Sequence, residues 1–241
     1  MRDVWGNGID WNERLWRYLS VNRFSWTLEQ RCMYFAASTQ FTDKFEGASG
    51  VMAPDFPEDP RYAAMEFMEE VNFRFRRLMK INCWHRSEHE NIAMWSLYAG
   101  ESKGVAITTT PDRLRNACQP FRLQPTYGVE DLWGGPVRYE DLAQVRLRLP
   151  GNQTYFCKHL PFYWEREFRL LISLMQPDEF GVDTPDDGIS VNIDLDTLVE
   201  SIMLGPALTA EQMEAVIEES RKAGLANRIR KSSMYGRPRF T

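Results

Sequence analysis

The segment YWEREFRLLISL, Tyr163 to Leu174, sets two acids beside arginines at the start of an aliphatic run. In an extended chain alternate side chains share a face, so Glu165, Glu167 and Arg169 point one way, and Phe168, Leu170, Ile172 and Leu174 point toward a core. The arginine would hold a neighbouring glutamate ionised. An ionised glutamate at a strand mouth can stabilise a cation that develops during a reaction. The same ribbon can also be an ion-pair ladder along the outer surface of a sheet. Either way, a carboxylate taken out of water must be paired or hydrogen-bonded, so something has to compensate these acids.

Three other stretches could carry chemistry. Arg17 and Tyr18 in LWRYLS offer a bidentate anion clamp beside an aromatic ring, or an arginine snorkelling at a sheet end. NCWHRSEHENIAMWSLY places Cys83 and His85 on one strand face, with His89 and Glu90 after them. A zinc site or a cysteine–histidine pair is conceivable there. However, only one cysteine is near, and side chains two apart on a strand are separated by about 6 to 7 Å. Ser87 and Glu90 have the spacing of a capping box, and core packing accounts for Trp95 and Tyr98. In TQFTDKFEG, Asp43 and Glu46 precede Gly47. They could hold a ligand or a cation, or Asp43 could cap a turn.

The elements that must position these residues read as α+β in a single domain with a mixed, mostly antiparallel sheet. Strands are expected at 14–20, 33–37, 81–85, 105–109, 137–139, 168–174, 189–193 and 201–204. Helices are expected at 22–31, after Asp59-Pro60 with a stripe of Ala64, Met68, Val71, Phe75 and Leu78, from the Ser87–Glu90 box through Met94, Trp95 and Tyr98 to a stop at Gly100, after Pro111, and from Thr209 to Gly224. Frequent turn residues and poor periodicity over 119–135 predict a long loop or lid.

With 241 residues the chain can bury a sizeable core. A formal charge of -5 argues against a surface wholly given to nucleic acid, although the tail 227–241 gathers Arg228, Arg230, Lys231, Arg237 and Arg239. A solvated edge strand explains that tail at least as well. Four scattered cysteines fit reduced thiols in a cytoplasmic protein. The absence of a long apolar run argues against membrane insertion, and no metal is expected.

Taken in order, LWRYLS, MYFAASTQFTDKFEG, NCWHRSEHENIAMWSLYAGESKGVAI, KHLPFYWEREFRLLI and SIMLGP resemble a widespread bacterial domain-of-unknown-function family across nearly the whole chain. Its motifs look like L-x-R-Y, F-x-D-P-F-E-G, C-W-H with E and M-W-x-x-Y, E-R-E-L/F-R and I-x-x-G-P. Lys44 stands where proline is usual and Phe168 where leucine is frequent. The layout resembles ADP-ribosyltransferase folds, which implies NAD as substrate. On that resemblance Arg17 is the NAD anchor, Tyr18 or Trp84 the stacking ring, Glu167 the catalytic acid and Glu165 the residue that positions the acceptor. His85 joins the catalytic set, and Ser38, Asp43, Glu46, Glu90, Trp95, Tyr98 and Arg169 join the substrate-binding set. Only Ser38-Thr39-Gln40 corresponds to the S-T-S element of one transferase class. A protein or nucleic-acid acceptor, a neutralising partner, and a toxin or phage-defence role are further extrapolations from the resemblance. The rival readings are a non-catalytic binding module built on Trp84, Trp95, Tyr98 and the basic tail, and a metal-dependent hydrolase using His85, His89 and Asp43.

Overall fold

The computed structural model describes residues 3–43, 45–48, 65–145, 147–149, 151–236 and 239. In chain order the elements are β1 (Asp3–Trp5), β2 (Leu15–Ser20), α1 (Val21–Gln30), β3 (Cys32–Ala37), α2 (Met65–Leu78), β4 (Met79–Arg86), α3 (Ile92–Tyr98), β5 (Gly104–Thr109), α4 (Pro111–Ala117), β6 (Leu132–Pro136), β7 (Arg138–Glu140), β8 (Cys157–His159), β9 (Glu167–Ser173), α5 (Met175–Glu179), β10 (Ile189–Asn192), α6 (Leu195–Leu198), β11 (Ser201–Leu204), α7 (Ala210–Lys222) and β12 (Ile229–Lys231). Short 3-10 helices lie at Ser38–Gln40, Gly151–Phe156, Leu160–Glu165 and Ala226–Arg228. The fold is α+β with a mixed, mostly antiparallel sheet. The chain forms two compact units. Met1–Asn7, Tyr34–Cys83 and Pro120–Ser190 make the first, and Gly8–Met33, Trp84–Gln119 and Val191–Thr241 make the second.

In the first unit β6 pairs antiparallel with β9 and parallel with β1, and β3 pairs antiparallel with β4 through Ala36–Ile81. Residues Glu167 to Ile172 of β9 are all buried, so this strand is covered on both faces. Met79, Ile81, Tyr155 and Leu171 form a core cluster. The expected loop over 119–135 needs correction at its end, because Leu132–Pro136 is strand β6. Gly134 and Gly135 erase the alternation there for a reason. A side chain at Gly134 would collide with the Trp5 ring, which lies against the bare backbone. The strand expected at 137–139 is β7, and it pairs parallel with β8 in a separate two-stranded sheet. Asp59, Pro60 and Ala64 lie outside the described residues. In α2, Leu78 is buried, whereas Phe75 is exposed and does not belong to a core stripe.

In the second unit β2 pairs antiparallel with β5 along its whole length, and β5 pairs with β11. Trp16, Tyr18, Met94, Trp95, Ala99 and Ala106 pack together. Helix starts follow side-chain chemistry. Ser20 caps α1, Thr110 caps α4 ahead of Pro111, and Thr209 and Gln212 close the capping box of α7 that their spacing predicts. The expected box at Ser87 and Glu90 is not formed. The helix begins later, and Asn91 is its cap, its side chain accepting from the N–H of Ala93 and Met94. Ser87 Oγ accepts from His89 N within the preceding turn. We expect Asn91→Ala to lower stability by about 1 kcal/mol, read as a shift of the denaturation midpoint, while Ser87→Ala should cost less. Equal losses would restore the earlier start of the helix.

Within the basic tail Arg228 is tied into the fold, and Arg230 and Lys231 are exposed. Arg228 donates to the carbonyls of Asp196 and Val199, and β12 lies parallel to β11. Arg237 lies outside the described residues. All four cysteines are unbridged. Among the described residues no helix is long and apolar enough to cross a membrane.

Candidate functional site

The acids of the E-R-E segment are compensated by a buried charge network within the first unit. Lys158 on β8 donates from Nζ to Glu165 Oε2 at 2.5 Å and to Glu167 Oε1 at 2.8 Å. Arg169 Nε donates to Glu167 Oε2 at 2.5 Å, so each oxygen of Glu167 holds one cation. The other end of the guanidinium grips Glu46 in a fork, at 2.6 and 2.9 Å, and donates to the Tyr155 carbonyl at 2.6 Å. Asp43 closes the loop locally. Its Oδ1 accepts from Phe45 N at 2.8 Å, while its buried Oδ2 stands 3.9 Å from Lys158 Nζ without a hydrogen bond among the described residues.

Two expectations are corrected here. Glu165 is not on the strand. It ends the 3-10 turn Leu160–Glu165, and Arg166 then takes a left-handed conformation (φ 42) before β9 begins at Glu167. This reversal lets both carboxylates reach one ammonium. The ribbon is also no surface ladder, because the Arg169 side chain is 0% exposed. In TQFTDKFEG the turn-capping reading describes what Asp43 does. Asp43 caps the turn, and Glu46 holds a cation that the chain itself supplies. Gly47 is required beside them, since at φ +76 any side chain would be strained and would also meet the Tyr155 ring.

Burial by itself would push Glu167 up. The Arg169 guanidinium, with help from Glu165 and Lys158, overrides it and holds the carboxyl well below the usual carboxylate range. Glu165 goes the other way. Burial pushes it up, its hydrogen bond to Glu167 and that residue's charge add to this, and Lys158 only partly offsets them, leaving it at about 7. Burial would lower Lys158, but the charge of Glu167 and then that of Glu165 outweigh it and keep the ammonium protonated. Near neutral pH the pair therefore consists of one fixed anion and one group that exchanges its proton. The network also has a shut end and a less shut one. Arg169 and Glu46 side chains are 0% and 1% exposed, while Lys158, Glu165 and Glu167 are 7 to 8% exposed.

Lys158 and Tyr139 were not singled out by sequence reasoning. Tyr139 accepts from Glu167 N through its hydroxyl at 2.8 Å. The signal for Lys158 was charge balance. Two inward acids and one inward arginine left an anion without a partner, and the nearest lysine in KHLPFYWERE was available to fill the role. Ser38 is buried in the same unit, and its carbonyl accepts from Arg76 at 3.3 Å. Cys83 also lies in this unit. Burial, and then the charge of Glu167, push its thiol well up, so it is protonated at neutral pH and a poor nucleophile.

The remaining candidates lie in the second unit. The Arg17 guanidinium sits over the Trp84 ring at 5.7 Å, and Trp84 is buried. Tyr18 packs edge-on against Trp95 at 4.9 Å and accepts from Asn91 N at 3.0 Å through its hydroxyl. His85 is buried, its ring 6.4 Å from that of Tyr18. Glu90 is no helix cap. It accepts from Trp95 Nε1 at 3.0 Å, from Ser232 Oγ at 2.6 Å and from Ser233 N at 2.7 Å, pinning the segment after β12. Trp95 is core as expected, but Tyr98 is 45% exposed. Among the described residues no three of His, Cys, Asp and Glu gather as metal ligands.

No protein-family model, curated protein or solved structure matches the chain.

Proposed function

We propose that the protein consumes NAD, as an ADP-ribosyltransferase or NAD glycohydrolase, with the carboxylates of the first unit at its chemical centre. The observation that carries this reading is a pair of glutamate carboxylates held on one ammonium, Glu165 at 2.5 Å and Glu167 at 2.8 Å from Lys158 Nζ, in surroundings that push Glu167 down and Glu165 up. Cleaving a nicotinamide–ribose bond develops positive charge on the sugar. A fixed carboxylate lowers that barrier without reorganising, and a second carboxyl near neutrality can take the acceptor's proton. Lys158 and Arg169 keep Glu167 in place, and the small residual exposure of the network lies at Lys158 and the two glutamates. The likeness of the chain to ADP-ribosyltransferase layouts supports the same assignment.

A second reading, a purely structural network, is favoured by the internal matching of its charges. Purified protein incubated with NAD separates the two. We expect nicotinamide release that falls about a hundredfold or more in Glu167→Gln, while Glu165→Gln removes the limb of the pH–rate profile near 7. No release by the wild type at millimolar NAD, or full activity in Glu167→Gln, would leave only the structural role.

A further inference from the structure

A groove of about 920 Å³ opens in the first unit between the segment leading into β6 and helix α5. Its lining includes three acids, Glu130, Asp131 and Glu179, and among the described residues no lysine or arginine. Trp133, Met175 and Phe180 give it apolar walls. The acids alone would be only a solvated patch, but Glu130 is different. The residue is 6% exposed, its Oε1 is shut off from solvent, and that oxygen has no hydrogen-bond partner among the described residues. A bond from Glu130 N to the Phe121 carbonyl at 3.0 Å fixes its backbone beside the groove and leaves the carboxylate free to turn about its own side-chain bonds. A buried acceptor with nothing to accept is costly, and a lining position for such a group indicates that something else completes it.

We propose that this groove binds an organic cation, a primary ammonium or guanidinium carried on an apolar stem, with Glu130 taking the charged head and Trp133, Met175 and Phe180 covering the stem. A divalent metal ion fits less well, because no three acidic, histidine or cysteine side chains converge among the described residues. A long cation instead spreads its contacts along the groove, one end at Glu130 and Asp131 and the remainder toward Phe180, which is 72% exposed. Aromatic walls around a cationic head add attraction of their own. Glu130 is primed for such a guest. Burial and the adjacent Asp131 push its carboxyl up to about 7, and an arriving cation would bring it down and expel a proton. The site does not depend on the reaction proposed above, since none of its lining residues belongs to the Lys158 network.

Calorimetric titration of the full chain at pH 7 tests the proposal with two probes, spermidine and Nα-acetyl-lysine methylamide. Saturable binding of either is expected, with an apparent enthalpy that changes with the ionisation enthalpy of the buffer as the proton is released. Glu130→Gln should weaken binding at least about tenfold and abolish the buffer dependence, and Phe180→Ala should weaken it with the buffer dependence retained. Glu214→Gln, on the exposed side of α7, should leave binding unchanged. Tighter binding of spermidine assigns a free polyamine as the guest, and tighter binding of the lysine probe assigns a protein side chain. Failure of both probes to bind at millimolar concentration, or unaltered binding by a folded Glu130→Gln variant, would overturn the proposal.

Discussion

Arg169→Met should be the most damaging single substitution in the network, lowering stability by about 3 to 5 kcal/mol. The guanidinium is fully buried and serves Glu46 by a fork, Glu167 by a single bond and the Tyr155 carbonyl. Methionine fills much of its volume, so the loss measures charge and hydrogen bonding more than a cavity. What remains is a Glu46 carboxylate without a cation and a Glu167 that keeps only Lys158. The cost is that of a stranded Glu46 and a half-held Glu167, which makes the prediction separable from a packing defect. Adding Glu46→Met to Arg169→Met should recover at least about 1 kcal/mol in urea denaturation, because the worst uncompensated charge is removed. If the double variant is less stable than the single one by the cost of another core substitution, the pair contributes through shape, and the electrostatic account of this strand is wrong.

Arg169 also marks how far the sequence can be read. The alternation in EFRLLIS puts Phe168, Leu170 and Ile172 on one face and Glu167 and Arg169 on the other, and that much is correct. Alternation does not tell a solvated face from one buried by charge pairing, and here both faces are covered. The missing information was the partner, Glu46, which lies 123 residues earlier and is brought in only by the fold. Glu165 failed for a local reason. One residue in the left-handed region, Arg166, breaks the period of two, and a non-glycine there leaves no mark in the sequence. Helix caps were more legible, since Thr209 and Gln212 need only each other and their own backbone. Even so, the same spacing at Ser87 and Glu90 misled, because Asn91 competes for the cap and Glu90 is drawn to Trp95, Ser232 and Ser233. Glu130 was hidden in a stretch without periodicity, where only its surroundings reveal that its Oε1 has no hydrogen-bond partner among the described residues.

Lys158→Met should cost about 3 kcal/mol at pH 8 and markedly less near pH 5.5, and the difference identifies the proton on Glu165 as part of the fold. In the wild type the folded protein holds this carboxyl at about 7 against an ordinary 4.5, so the native state binds a proton that the unfolded chain releases in between. The stability this confers is complete below about pH 4.5 and is lost as the pH rises through 7. Glu167 has the opposite sense. Held well below 4.5, it is ionised in both states across this window, and its contribution disappears only as the pH falls below the ordinary value and through its own. Wild-type stability should therefore decline between about pH 5 and pH 8, with Glu165 and Glu130 as the contributors that rise toward 7. Glu165→Gln should remove up to about 2 kcal/mol of that slope, allowing for partial solvent screening. Without the Lys158 ammonium the two carboxylates face each other. Below neutrality they can share one proton, whereas above it both are charged and only Arg169, through Glu167, offsets the repulsion. Chemical denaturation of the three proteins at the two pH values reads this out directly. A Lys158→Met loss that is the same at both, or a Glu165→Gln variant with an unaltered slope, would mean that the proton resides elsewhere and that the two glutamates are not the split pair on which the proposed chemistry depends.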